Sequence, residues 1–229
     1  MIIGGIQKFS LVDFPGKTSA VLFLSGCNMR CGYCHNPELV LPELFQPCLD
    51  IDEVEEFLKR RQGKLDGIVV SGGEPTIRKD LPELLEKIKN LGFSVKLDSN
   101  GTNPEMLEDV IKKDLVDYIA MDIKGPLERY AEITQRPIDT SLIQESINTI
   151  IDSGIEHEFR TTVVKPQLGA QDFSNIGSLI KGAGLYFLQK FSSGETLDPG
   201  FRNGETYSYE ELSAFQKIMN SYVQACYLR

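Results

Sequence analysis

The sequence predicts an α/β fold, a partial, open (β/α)6 barrel of parallel strands. Three observations carry that expectation. Short β-branched or apolar runs recur six times along the chain, and each is followed by a segment whose apolar residues return at helical spacing. Such alternation implies parallel strands joined by right-handed crossovers. Six units are too few for the eight of a closed barrel. No low-complexity stretch, linker or charge block divides the 229 residues. A single domain is therefore expected over 1–229, with a C-terminal helical extension from about residue 207.

The expected strands are Ala20–Leu24, Gly67–Val70, Phe93–Leu97, Val116–Met121, Glu158–Val164 and Leu185–Leu188. Val54, Phe57 and Leu58 make the face of the first helix; Leu81, Leu84, Leu85 and Ile88 make the second. Met106, Leu107, Val110 and Ile111 follow, with Asn103 as N-cap and Pro104 at the first helical position. Ile143, Ile147, Ile150 and Ile151 form a fourth face closed by Gly154, and Phe173, Ile176, Leu179 and Ile180 a fifth. The last helix opens on Ser208-Tyr209-Glu210-Glu211, a capping-box pattern, and carries Leu212, Phe215, Ile218, Met219 and Tyr222.

Composition narrows the class. With 41% hydrophobic and 25% charged residues the chain reads as an ordinary globular protein. A length of 229 residues buries roughly 70–75% of the unfolded surface, so no staple is needed to hold a core. The net charge of −9 repels phosphate backbones and speaks against nucleic acid as main partner. No apolar run approaches the ~18 residues of a membrane span. The start, Met1-Ile2-Ile3-Gly4-Gly5, lacks the pattern of a signal peptide, so a cytoplasmic location is expected.

Three of the five cysteines fall within eight residues, as Cys27-Asn28-Met29-Arg30-Cys31-Gly32-Tyr33-Cys34. An odd count crowded in this way argues against a disulfide framework. Thiolates are soft ligands that suit zinc or iron–sulfur clusters. Structural zinc takes four ligands, often as two separated pairs, and no second pair is present. His35 directly follows Cys34, a poor geometry for a shared ion. Three thiolates on a four-iron cube would leave one iron open. Cluster, zinc and reactive thiols all stand as readings of the motif alone. Cys48 and Cys226 stand apart and read as small hydrophobes, although Cys226, near Arg229, is expected on a frayed end open to oxidation.

Further polar motifs fall at the C-terminal ends of the expected strands, where barrel enzymes place their sites. Ser71-Gly72-Gly73-Glu74-Pro75-Thr76 combines two glycines, which let the backbone approach a ligand, with a carboxylate able to accept from an ammonium group. By itself the motif is also a turn. Asp98-Ser99-Asn100-Gly101-Thr102 offers short polar side chains for ribose hydroxyls, though Asn-Gly is a common turn as well. Lys124, in Asp122-Ile123-Lys124-Gly125, and Arg160, on the fifth strand before Val164-Lys165-Pro166, read in isolation as solvated or paired charges.

The cysteine spacing after the first strand, with Tyr33 just before the last cysteine, resembles the radical S-adenosylmethionine (SAM) superfamily. The resemblance implies a 4Fe–4S cluster on Cys27, Cys31 and Cys34, its open iron chelating the methionine part of SAM. Gly72, Gly73 and Glu74 match the superfamily's GGEP motif, which binds the methionine amino group. Tyr33 would pack beside the adenine, and Asp98, Ser99 and Asn100 would line the cofactor. Residues matching Lys124 and Arg160 in glycyl-radical-enzyme activases face the methionine carboxylate and the ribose. A monovalent cation near Asp98 and Asp122 is implied on the same basis.

Phe9-Ser10-Leu11-Val12-Asp13-Phe14-Pro15-Gly16-Lys17 and Cys34-His35-Asn36-Pro37 resemble segments of those activases, and make Asp13 and His35 candidates near substrate and cofactor. A turn-forming Asp and a His packed under the cysteine loop are the plain alternatives. The likeness runs from about Gly5 to Pro199 and is strongest to the short, single-cluster activating proteins of anaerobic ribonucleoside-triphosphate reductase. It implies reductive cleavage of SAM to a 5′-deoxyadenosyl radical that takes hydrogen from a glycine Cα of the reductase. A flavodoxin- or ferredoxin-type donor would supply the electron. Where some activases place a His, this chain has Phe191. The competing expectations are a 7-carboxy-7-deazaguanine synthase-like enzyme acting on a small pterin, and a non-catalytic Fe–S or zinc module.

Overall fold

A computed structural model describes residues 2–165 and 167–229. The chain forms two compact units: Met1–Asn28, Asn36–Ser99 and Glu105–Ile119 make one, and Met29–His35, Asn100–Pro104 and Ala120–Arg229 make the other. In each, the strand order follows the chain.

In the first unit, β1 (Ile3–Ser10) runs antiparallel to β2 (Ser19–Leu24). Parallel pairing then joins β2 to β3 (Gly67–Gly72) and β3 to β4 (Ser94–Ser99), in register from Ser19↔Gly67 and Gly67↔Ser94. These strands are near-continuous apolar runs because parallel strands are covered on both faces; Ala20, Leu22, Ile68, Val69, Val70, Val95 and Leu97 are fully buried. The short helix α1 (Pro37–Val40) precedes α2 (Ile51–Arg61), which starts where the Asp50 carboxylate accepts from the Asp52 amide at 2.9 Å. Helix α3 (Leu81–Asn90) buries Leu81, Leu84, Leu85 and Ile88, the face expected from its spacing. Helix α4 (Pro104–Lys112) buries Leu107 and Val110.

Strand β5 (Tyr118–Asp122) carries the chain into the second unit. There β6 (Glu156–Val163), β7 (Leu185–Lys190) and β8 (Ala225–Leu228) pair in parallel. The helices are α5 (Tyr130–Thr134), α6 (Thr140–Ser153), α7 (Ala170–Leu179) and α8 (Tyr209–Met219). Gly154 closes α6 in the left-handed region, and Ser208 and Glu211 form the capping box of α8. Phe173 of α7 stacks on Phe215 of α8 with ring centroids 4.5 Å apart.

Strands β2 to β7 are the six expected ones, and the α/β class holds. Two strands escape the sequence pattern. β1 buries only Ile3 and Ser10 at its ends and shifts register twice, so its alternation is lost. β8 is four residues long, and its place beside β7 overturns the frayed end expected around Cys226, which is 3% exposed. The last helix stops at Met219, leaving Tyr222 outside it. Pro166 lies outside the described residues. Among the described residues no helix is long and apolar enough to cross a membrane.

Candidate active site

In the first unit the loop leaving β2 is clamped by the turn that follows β3. The Gly73 amide donates to the Leu24 carbonyl at 2.8 Å, the Glu74 amide to the Gly26 carbonyl at 2.8 Å, and the Gly26 amide to the Leu39 carbonyl at 2.7 Å. Arg78 adds a donor to the Ser25 carbonyl. The approach demands glycine: a Cβ on Gly73 would sit 2.1 Å from the Gly26 oxygen. Gly72 holds φ +119°, and a Cβ there would sit 2.4 Å from the Leu24 backbone. Both glycines thus serve the close packing of two chain segments, next in sequence to the half-buried Cys27.

Glu74 is 1% exposed. Its Oε1 accepts from the Thr76 amide (3.0 Å), the Thr76 hydroxyl (2.5 Å) and the Ser99 hydroxyl (2.9 Å). A buried carboxylate held this firmly is preorganised to receive an ammonium group. Asp98 lies two residues before Asn100 on the opposite face of β4 from Ser99. The Ser71 hydroxyl donates to its Oδ2 at 2.8 Å, and the Lys96 ammonium lies 3.1 Å from its Oδ1. The same ammonium donates to the main-chain oxygen of Asp13 at 2.6 Å. The Asp13 side chain accepts from Ser10 Oγ at 2.5 Å, so it shapes its own turn.

In the second unit the Met29–His35 loop is strapped by main-chain bonds. Arg30 donates to Thr134 at 2.8 Å, Leu197 to Cys34 at 2.8 Å and Asp198 to Gly32 at 2.9 Å. Tyr33 is buried and meets Phe201 edge-on, ring centroids 6.3 Å apart. His35 Nδ1 lies 2.8 Å from the Glu195 carbonyl, which makes it the protonated nitrogen, and the ring stacks on buried Phe191 at 5.4 Å. Phe191 therefore supports His35 from the position where some activases place a His.

Asp122, at the end of β5, bridges Lys124 (Nζ to Oδ2, 2.9 Å) and Arg160 (Nε to Oδ1, 2.5 Å). Burial pushes its carboxyl up, but Arg160 and Lys124 outweigh that and hold it well below the usual carboxylate range. Burial likewise opposes the Lys124 charge, and Asp122, Tyr33 and Cys31 overcome it and push the ammonium up. Burial raises the Cys31 thiol, partly offset by Lys124. The main-chain amide of Lys124 donates to the buried Tyr130 hydroxyl at 3.2 Å. Asn100 Oδ1 accepts from the amide and hydroxyl of Thr102, the turn reading of that motif.

Among the described residues no cysteine forms a disulfide; Cys31 is buried, Cys27 and Cys34 half-buried, Cys48 exposed. Among the described residues no three His, Cys, Asp or Glu side chains are gathered tightly enough for a single metal ion. What the chain offers is donor chemistry, three soft thiols within eight residues, and that donor set fits an iron–sulfur cluster. In the first unit Glu74 suits an ammonium; in the second, Lys124 and Arg160 suit a carboxylate. Sequence reasoning missed Lys96, Tyr130 and Phe201. Only Lys96 carried a signal, since residues two apart on a strand share a face and Lys96 therefore stands with Asp98.

Residues 21–179 match the family profile described as the radical SAM superfamily. The chain is a radical SAM enzyme. A Methanocaldococcus jannaschii protein described as a glycyl-radical enzyme activating enzyme is 36% identical over 236 residues, covering 100% of this chain and 95% of that one. A pyruvate formate-lyase-activating enzyme of Clostridium pasteurianum is 32% identical over 132 residues, 53% of this chain and 52% of that one. The radical SAM chain therefore belongs to the activating-enzyme branch. A 7-carboxy-7-deazaguanine synthase of Thermococcus kodakarensis is 26% identical over 193 residues, 76% of this chain and 74% of that one. Among solved structures, Streptococcus suis SuiB bound to S-adenosylmethionine shares the fold at TM-score 0.66 with 13% identity, covering 91% of this chain and 51% of that one. A domain of the Bacteroides vulgatus pyruvate-formate lyase-activating enzyme gives TM-score 0.58 at 14% identity, covering 71% and 98%.

Proposed function

We propose that this radical SAM activase generates a glycyl radical on an anaerobic ribonucleoside-triphosphate reductase in the cytoplasm, drawing its electron from a flavodoxin- or ferredoxin-type donor. Cys27, Cys31 and Cys34 would hold the cluster; Gly72, Gly73, Glu74, Asp98, Ser99, Asn100, Lys124 and Arg160 would receive SAM. When bound, the cluster and SAM would supply one-electron reductive chemistry at the sulfonium and the hydrogen abstraction that activation of a glycine Cα requires. The chain's own part is posture and exclusion. Glu74, fixed by Thr76 and Ser99, presents its carboxylate to an ammonium group. Asp122 pairs with Lys124 and Arg160 and so holds both cations in place for a carboxylate or hydroxyl. Buried Tyr33 and Phe191 keep water from the backbone of the cysteine loop. A monovalent cation at Asp98 or Asp122 would have to share carboxylates already paired with cations of the chain.

The observation that carries the choice of substrate is the Ser10–Lys17 segment. Its turn is fixed by the Ser10–Asp13 bond and the Lys96 donor, yet Phe9, Leu11 and Val12 stand 53%, 67% and 77% exposed beside it. An apolar rim next to a fixed turn suits a protein substrate, which buries such surface on docking. A small pterin has no use for it. The likeness to 7-carboxy-7-deazaguanine synthase supports that second reading. The deciding experiment mixes reduced, cluster-loaded enzyme and SAM with either the reductase or the pterin. An organic radical signal assigned to glycine supports the first reading; turnover of the pterin without it sinks that reading.

A further inference from the structure

Lys96 takes no part in the chemistry above, and its burial demands an account. Its side chain is 2% exposed in the middle of β4, flanked by buried Val95 and Leu97. Lysine is almost never fully buried unless paired, because the ammonium loses its hydration. Here the lost water is replaced by oxygen and aromatic contacts. The ammonium lies 2.6 Å from the Asp13 main-chain oxygen and 3.1 Å from Asp98 Oδ1, with the Tyr118 ring centroid 6.0 Å away. Asp98 in turn has its other oxygen held by Ser71. A desolvated unit charge ringed by a carboxylate and a carbonyl is the environment that proteins otherwise give to a bound cation. Lysine supplies that charge from a tether, so it cannot dissociate or be diluted.

We propose that Lys96 is the resident counter-ion of Asp98, that it replaces a monovalent metal ion in this chain, and that it positions Asp98 for cofactor binding while tying the Asp13 turn to the same strand. The cofactor part rests on the functional reading above; the counter-ion part does not. Two consequences separate a positioning charge from a merely structural one. The native enzyme binds SAM equally in potassium, sodium and choline salts. Removing the ammonium while keeping the oxygens creates a vacancy that a small cation can fill, and so a salt requirement the native chain lacks.

The test compares wild type with Lys96→Ala and Lys96→Met at constant ionic strength in choline, sodium, potassium or ammonium chloride. Melting of the cluster-free protein is read first, then SAM binding by the reconstituted holoenzyme. The expected result is a wild type whose SAM affinity varies less than 2-fold between salts. Lys96→Ala should lose at least 10-fold in choline and regain most of it in potassium or ammonium, its melting temperature rising with the same ions. Lys96→Met, whose longer stem fills the vacancy, should lose affinity without rescue, and it keeps the comparison readable if the alanine variant does not fold. A wild type that needs potassium, or a folded Lys96→Ala indifferent to every cation, overturns the proposal. Asp98→Asn distinguishes the two readings: unchanged SAM affinity in that variant, alongside cation-sensitive melting of Lys96→Ala, would remove the cofactor assignment and leave the ion pair standing.

Discussion

Asp122→Asn is the substitution whose cost the structure defines best. The asparagine keeps shape and volume but leaves Lys124 and Arg160, 16% and 14% exposed, without their shared counter-charge, although Arg160 keeps the buried Glu158 carboxylate at 3.9 Å. Removing one member of a buried ion pair costs about 3–5 kcal/mol, because an uncompensated charge stays behind. Asp122 itself is 26% exposed, so some water reaches the site and the lower end, about 3 kcal/mol, is expected. For a chain of this size that is a fall in melting temperature of about 6–12 °C. Thermal melting at pH 7 measures it, and a double-mutant cycle with Lys124→Met should show coupling of about 1–3 kcal/mol. The pH dependence has a definite sign. A carboxyl held below its unfolded value of 3.8 stabilises the fold fully above that value, and the contribution drains away as pH falls below it. The gap between wild type and variant should therefore narrow as pH falls from about 4 towards 2. A difference under about 0.5 kcal/mol at pH 7, or one that widens on acidification, would refute the idea that Asp122 organises these cations.

Other substitutions test the rest of the site. Glu74→Gln keeps an acceptor for Thr76 and Ser99 but removes the charge; SAM affinity measured by equilibrium binding should fall at least about 10-fold, about 1.4 kcal/mol or more, whereas Ser99→Ala, which leaves the charge but loosens the carboxylate, should weaken SAM binding less and lower stability by about 1.5–3 kcal/mol in denaturant melts. Gly73→Ala forces a methyl to within 2.1 Å of the Gly26 oxygen, so the turn must open; chemical denaturation should show a loss of at least about 2 kcal/mol, and unchanged stability would mean the two segments are not in contact. Burial pushes the Cys226 thiol up to about 12 while Cys48 is exposed. Alkylation at pH 8 read by mass spectrometry should label Cys48 and spare Cys226 in the folded protein.

Much of this protein was legible because its strands and helices obey different periods. The helix faces of α3, α6 and α7 emerged as residues such as Leu81, Leu84, Leu85 and Ile88 recurring every three or four positions, and the same residues are buried. β1 was hidden because Gly4, Gly5, Gln7 and Lys8 give an edge strand no alternation to read. β8 was hidden because four residues cannot establish a period, and only pairing with β7 makes them a strand. At the site, the motif residues could be named from spacing, but their partners could not. Ser99 is committed to Glu74 and Asn100 to Thr102. Spacing sets Lys96 on the same face as Asp98, but only the structure shows that it is enclosed. Such facts depend on which segments the fold brings together, and Asp13 and Lys96 are 83 residues apart.

The straps on the cysteine loop set an order of events during synthesis. Cys31 and Cys34 emerge early, but the amides of Leu197 and Asp198 that fasten the loop are made about 160 residues later. At translation rates of about 5–20 residues per second, that leaves the nascent thiols unfastened for roughly 10–30 s. On the cluster assignment proposed above, delivery of iron and sulfide would follow the synthesis of Leu197 and Asp198, and oxygen met during that interval would reach thiols that the folded protein conceals in whole or in part.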